Sequence, residues 1–226
     1  GPAYPDPSTF SNALEVIGRA ENYGLIPVSI REHLENGARG QIAETVKPGD
    51  ELAESASHTI IGSNKESCQA AARKAEELNF YAEVVTCDLV GEAREVGRRL
   101  ALDARRSSEL PRPYVLVYGG ETTVTITGKG KGGRNQEVAL AAVRDMAELA
   151  GNLLITLATD GEDGPTDAAG AVVDDNSLKR AYTLGLDPDR YLANNDAYTF
   201  FRQMCDLLVT GSTGTNVNDI SFIFGF

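Results

Sequence analysis

The chain is short of histidine, cysteine and positive charge, and each shortage removes a class of function. Its 226 residues hold two histidines, three cysteines and 21 lysines and arginines against 33 aspartates and glutamates, a formal net charge of −12. His33 and His58 are too far apart in the chain to suggest a metal cluster. Cys68, Cys87 and Cys205 are odd in number and lack C-x-x-C spacing, which fits neither a disulfide framework nor a zinc site, and a reducing cytoplasm is expected. The acid excess repels polyanions, so no nucleic-acid or anionic membrane partner is expected. No apolar run is long enough to span a bilayer, and no signal-peptide pattern is present. The absence of a G-x-S-x-G elbow argues against a serine hydrolase. The chain also lacks an initiator methionine: Gly1-Pro2 stands there, the expectation being a processed chain or a piece of a longer one.

What is present is enough to fold: 42% hydrophobic residues in this length supply one generous core or two smaller ones. Ser8 reads as the cap of an amphipathic helix ending near Gly24, and Pro27 opens a second helix closing at Gly37. After a polar loop over 40–57, an alternation begins: strand 59–62, helix 64–78, strand 81–86, helix 91–104, a βαβα order that predicts parallel pairing. The charged, proline-punctuated stretch 105–113 reads as a domain boundary. Beyond it, strands are expected at 114–118 and 122–127, close enough to form a hairpin, then a helix over 134–149. Strands at 153–158, 169–173, 207–210 and 220–224, with helices between Ser177 and Met204, complete the pattern. The fold class is therefore α/β, with mostly parallel or mixed sheets flanked by helices.

The stretch from Gly119 to Glu137 carries the most information. It runs through Glu121 into the glycine loop Gly128-Lys129-Gly130-Lys131-Gly132-Gly133, then into a helix opening with Arg134 and Asn135. Glycines allow close backbone approach to a phosphate, and a helix start adds its positive dipole end, so three cations within six positions of an acidic chain point to a small-anion site. The loop also matches G-x-G-x-x-G, the dinucleotide fingerprint. Against that, its preceding strand alternates threonine with valine and isoleucine, that strand is expected to pair in a hairpin, and Asp160 follows Gly128 by 32 residues, too far for a ribose-binding acid. No Gly-Lys-Ser/Thr follows, so it is not a Walker A loop either.

Two further loops sit at strand ends, where open α/β sheets bind ligands. In the first, Asp160, Glu162, Asp163 and Asp167 crowd a glycine-rich turn. Its bland alternative is a solvated turn, weightier for Glu162 and Asp163 than for Asp160, which could hold Mg²⁺ or accept a hydroxyl proton. In the second, Thr213, Gly214, Thr215 and Asn216 offer hydroxyl, amide and backbone donors to an anion, or simply cap a turn. Ser63 and Asn64, and likewise Asn195, sit at helix starts where a cap and a ligand contact are both open.

Together, 119–124, 132–137, 159–161, 163–170 and 213–219 resemble the class II glycerate kinases, the glycerate 2-kinase or MOFRL family, and the resemblance extends upstream through 91–93, 61–64, 47–50, 5–7 and Gly1-Pro2. It implies a larger N-terminal α/β domain and a smaller C-terminal one, with residues 1–112 the C-terminal part of the first, incomplete here, and 113–226 the second. It also implies transfer of the γ-phosphoryl of ATP to D-glycerate, usually at the 2-hydroxyl, with Mg²⁺ or another divalent cation. Arg134 would neutralise charge and Asp160 would position substrate or metal. Glycerate and ATP are then the partners, and a homo-oligomer is allowed. The family's upstream lysine and acidic motif have no counterpart in this sequence, so the chain alone is expected to lack kinase activity, and Ser212 replaces a customary proline. The alternatives are an NAD(P)-dependent hydroxypyruvate reductase, a name many members carry, and a non-catalytic ligand-binding fragment.

Overall fold

The computed structural model describes residues 4–19 and 23–226; the resemblance read at Gly1-Pro2 lies outside them. The chain divides into two compact units, Gly1–Ile61 and Gly62–Phe226. In the first, α1 (Phe10–Gly18) starts one residue later than expected because Thr9 and Asn12 form a capping box, and it ends at Arg19 and not near Gly24. Ser8 instead bonds the Asp6 carboxylate. The second helix, α2 (Val28–Ala38), is followed by the single-turn α3 (Glu51–Glu54). Gly37 of α2 lies against the Phe10 ring, where any Cβ would collide.

In the second unit α4 (Asn64–Glu77) leads to β1 (Tyr81–Leu89), α5 (Ala93–Arg106) and β2 (Tyr114–Gly120). Then come α6 (Arg134–Met146), β3 (Asn152–Ala158) and β4 (Gly170–Asp174). The short helices α7 (Ser177–Thr183), α8 (Pro188–Ala193) and α9 (Ala197–Met204) follow, with β5 (Leu207–Leu208) and β6 (Asp219–Gly225) last. The six strands form one mixed open sheet in the order β1-β2-β6-β3-β4-β5. Only β1 and β2 pair in parallel, with α5 as their crossover; β6 runs antiparallel between β2 and β3. The last-entering strand thus fills the centre. As a result the carboxyl ends of β1, β2 and β3 and the amino end of β6 meet on one edge.

Two expected strands do not form. Residues 122–127 carry only a bridge from Thr123 to Glu92, because both edges of β2 are already taken by β1 and β6, which leaves no place for a hairpin partner. Residues 59–62 are irregular, with Ile60 and Ile61 exposed. The stretch 105–113 does not interrupt the sheet, since β1 and β2 pair across it.

Packing explains which residues are buried. All seven residues of β2 are buried, as expected of a strand covered on both faces. Tyr114, Leu116 and Tyr118 face the larger core under α5 and α6, while Val115 and Val117 face α4. Cys68 of α4 is buried there, and desolvation pushes its thiol up to about 12, which makes it inert at neutral pH. Helices α5 and α6 approach closely through Gly97: a Cβ there would run into the Val138 carbonyl oxygen and stand 2.9 Å from the Ala141 Cβ.

On an exposed helix Gly→Ala stabilises by about 1 kcal/mol. At Gly97 the sign should reverse, since overpacking against backbone costs about 1–3 kcal/mol. Urea unfolding of Gly97→Ala is expected to give a lower midpoint, and a raised midpoint would contradict the close helix contact.

Candidate functional site

The end of the sheet where β2 and β3 finish is organised by carboxylates. Arg134, the first residue of α6, is gripped by Asp219 at the start of β6: Nε donates to one carboxylate oxygen at 2.5 Å and one terminal nitrogen to the other at 3.0 Å. Its remaining terminal nitrogen pairs with Glu121, just beyond β2, at 3.2 Å. The Asp219 hydrogen bonds push the Arg134 pKa above its ordinary value. A bidentate fork fixes the guanidinium plane as well as its charge. The arginine side chain remains 31% exposed while that of Asp219 is 9% exposed.

The start of α6 already holds an anion, and it is Asp163. This buried carboxylate accepts from the backbone N–H of Asn135 at 3.0 Å, that of Gln136 at 2.9 Å and the Asn135 amide at 3.2 Å. Burial raises its pKa, and those hydrogen bonds pull in the opposite direction. Asp163, weighed from sequence as a solvated turn residue, is instead the helix cap, reached across 28 residues. Next to it the backbone N–H groups of Gly132, Gly133 and Arg134 donate to no acceptor among the described residues.

The rest of the glycine loop departs from its sequence reading. Thr127 and Gly128 donate their N–H groups to the Asn195 side chain, Lys129 to that of Asn194, Gly130 to the Asn194 carbonyl and Lys131 to the Asp196 carboxylate. The backbone donors expected to cradle a phosphate at 128–131 are therefore spent inside the protein. Gly128 and Gly130 lack side chains because the Asn194 backbone and Asp196 occupy that space. Lys131 lies over the Tyr198 ring at 4.5 Å, and the Tyr198 hydroxyl donates to Asp167 at 2.7 Å. Asn195 is no open ligand contact either. Its oxygen takes the loop N–H groups, and its amide nitrogen donates to the Thr125 carbonyl and to buried Glu137, which also pairs with Arg94.

Asp160 lies beyond β3 and ties down the last loop. Its carboxylate accepts from the Asn216 amide at 2.8 Å and the Glu162 N–H at 3.1 Å, and its carbonyl accepts from Thr213. Thr213 also donates its hydroxyl to the Thr159 carbonyl at 2.6 Å. Thr159 in turn bonds the Asn218 carbonyl, adjacent to Asp219. Arg134, Glu121, Asp160, Thr213 and Asn216 are thus brought to one sheet end, with Gly214 and Thr215 at the exposed tip of the loop. Ser63 caps α4 by accepting from the Glu66 N–H. Among the described residues no group of three histidine, cysteine or acidic side chains is gathered as for a metal ion. Asp219 and Asp163 were missed as partners from sequence, since the pairs are 85 and 28 residues apart and no local pattern links them. A cavity of about 700 Å³ between Tyr4, Val46, Leu52 and His58 of the first unit includes none of these residues.

Residues 114–219 match the model of the MOFRL family. The chain as a whole is a homologue of proteins named as glycerate kinases. It is 42% identical over 225 residues to the glycerate 2-kinase of Pyrococcus horikoshii, covering 97% of this chain and 50% of that protein. It is 42% identical over 224 residues to the D-glycerate 2-kinase of Thermotoga maritima, covering 97% and 51%. The solved structure of a Thermotoga maritima glycerate kinase superposes with a TM-score of 0.81 at 40% identity, over all of this chain and 52% of that one. A relative from Agrobacterium vitis, 38% identical over 230 residues, carries the name hydroxypyruvate reductase. The chain spans about half the length of the curated relatives it matches.

Losing the Asp163 cap should expose its structural role. Asp163→Ala is expected to cost about 2 kcal/mol, the scale of a lost cap plus buried donors left unpaired, and to speed amide exchange at Asn135 and Gln136. Unchanged exchange at both amides would show that the helix start does not depend on this carboxylate.

Proposed function

We propose that this chain is the part of a glycerate kinase that supplies Arg134 and Asp160 to transfer of the ATP γ-phosphoryl to D-glycerate, at the 2-hydroxyl. The observation that carries the reading is the fixed Arg134, its side chain partly exposed, together with the N–H groups of Gly132, Gly133 and Arg134, which have no acceptor among the described residues, at the start of a 13-residue helix. Such an array suits a phosphate or carboxylate oxygen. The relatives' names supply the substrate class.

Arg134 orients and neutralises an anionic oxygen, and the Asp219 fork keeps it from swinging away. Gly132 and Gly133 add backbone donors, and the Lys129 ammonium, close by in sequence, can meet an outer phosphate, whereas that of Lys131 would first have to leave the Tyr198 ring. Asp160, held by Asn216, keeps its carboxylate at the strand end, where it can orient the glycerate hydroxyl or hold Mg²⁺. A lone acid is a fit for Mg²⁺, which is commonly held by one or two carboxylates together with phosphates and water. When bound, MgATP supplies the electrophilic phosphoryl group and the cation's charge; the residues supply position and electrostatic stabilisation, which dominate this reaction class.

We further infer the family's division at residues 112 and 113, a cytoplasmic location, and small-molecule partners only; a homo-oligomer is compatible with this reading. The NAD(P)-dependent reductase has less support, because the N–H groups of the first four residues of its fingerprint loop, Gly128 to Lys131, are consumed by Asn194, Asn195 and Asp196.

The test is phosphoglycerate formation from ATP and D-glycerate by this chain and by a form extended to the relatives' length. Turnover is expected in the extended form; hydroxypyruvate-dependent NAD(P)H oxidation with no phosphoglycerate would overturn the reading. In the extended form Arg134→Ala should lower kcat by about 10²–10³, the scale of one lost oxyanion donor. Asp160→Asn should reduce kcat with little change in melting temperature, and a large fall in melting temperature would mark Asp160 as a loop clamp only.

A further inference from the structure

We propose that Asn64 is a positioning residue: its side-chain amide clips the 217–219 backbone so that the Asp219 carboxylate stands where it can hold Arg134. Its kinetic meaning rests on the proposed function; its structural content does not. Asn64 opens α4, but the capping of that helix is done by Ser63. The Asn64 amide nitrogen instead donates to two backbone carbonyls, those of Val217 and Asp219, each at 2.9 Å. Its oxygen accepts from the Cys68 thiol at 3.5 Å, one turn along the helix. Both polar ends of the amide are therefore committed.

The residue between the two clipped carbonyls is Asn218, with φ at +67°. Asparagine enters the left-handed region more readily than other non-glycine residues, but it is held there only where its surroundings favour that conformation. Here the imposition comes from two sides. Thr159 bonds the Asn218 carbonyl through both its N–H and its hydroxyl, and the Thr159 hydroxyl accepts from the Val217 N–H. From α4, Asn64 draws the two flanking carbonyls toward one point. The kink turns the chain into β6, and Asp219, the first residue after it, directs both carboxylate oxygens at Arg134.

Gly119 completes the device. A Cβ on Gly119 would occupy the place of the Asn64 oxygen and the Cys68 sulfur. The last turn of β2 is left bare so that the α4 amide can reach past it to the β6 segment. The chain of contact from α4 to Arg134 therefore runs through Asn64, the 217–219 kink and Asp219, and no step of it requires Asn64 to touch a ligand.

The test is made on the intact chain by following the Arg134 Nε–Hε resonance and its hydrogen exchange by NMR. Asn64→Asp keeps the shape and removes both donors. It should speed Arg134 Hε exchange by about tenfold or more, the scale of one or two lost hydrogen bonds. Adding Asn218→Gly should restore slow exchange in part, because glycine adopts the left-handed conformation without help. Should Asn64→Asp not fold, Asn64→Ser is read by the same resonance, with the same acceleration expected. An unchanged Arg134 resonance in a folded Asn64 variant, or no recovery with Asn218→Gly, would overturn the proposal. Accelerated Arg134 exchange in Asn64→Asp, alongside no glycerate phosphorylation by the unsubstituted extended form, would count against the function and leave the clip standing.

Discussion

The fork between Arg134 and Asp219 is the contact on which the candidate site depends. It joins the first residue of α6 to the first residue of β6, and so couples one helix start to the strand that fills the centre of the sheet. Without Asp219 a partly buried guanidinium would lose its bidentate partner and keep only the half-exposed Glu121. With it, the charge is localised at the end of β2 and β3 while the side chain stays partly exposed.

A second carboxylate divides the labour. The α6 N-terminus is an obvious anion trap by its dipole, yet Asp163 fills the inner part of it, and only the outermost N–H groups at Gly132 to Arg134 are left without protein acceptors among the described residues. One acid thus caps the helix, and the proposed function assigns the remaining rim to an anionic ligand. The N–H groups of 127–131 likewise fasten the glycine loop to the 194–196 segment.

Much of the fold was legible because it is written in local periodicity. The helices at 64–77 and 134–146 and the buried strands at 114–120 and 152–158 all follow from apolar spacing and flanking glycines. What failed were judgements that depend on distant partners. The 122–127 segment has strand composition, but the edges of β2 were claimed by β1 and by a strand a hundred residues later. In the site, Arg134 and Asp160 were visible as a cation and an acid at element ends, and each stands at the same end of the sheet. The roles of Asp163, Asp219 and Asn64 were not legible, because each acts through a contact 28 to 155 residues away. Glycines read as phosphate-facing at 128 and 130 proved to be spaces for Asn194 and Asp196, a distinction that sequence patterns do not carry.

The most direct measurement of the central claim is amide chemical-shift mapping of the intact chain on titration with MgATP and with D-glycerate. The account predicts saturable shifts at Gly132, Gly133 and Arg134 and in the 213–216 loop, with smaller ones along the buried start of α6. Shifts confined to the cavity between Tyr4 and His58, or spread without saturation over the surface, would contradict it.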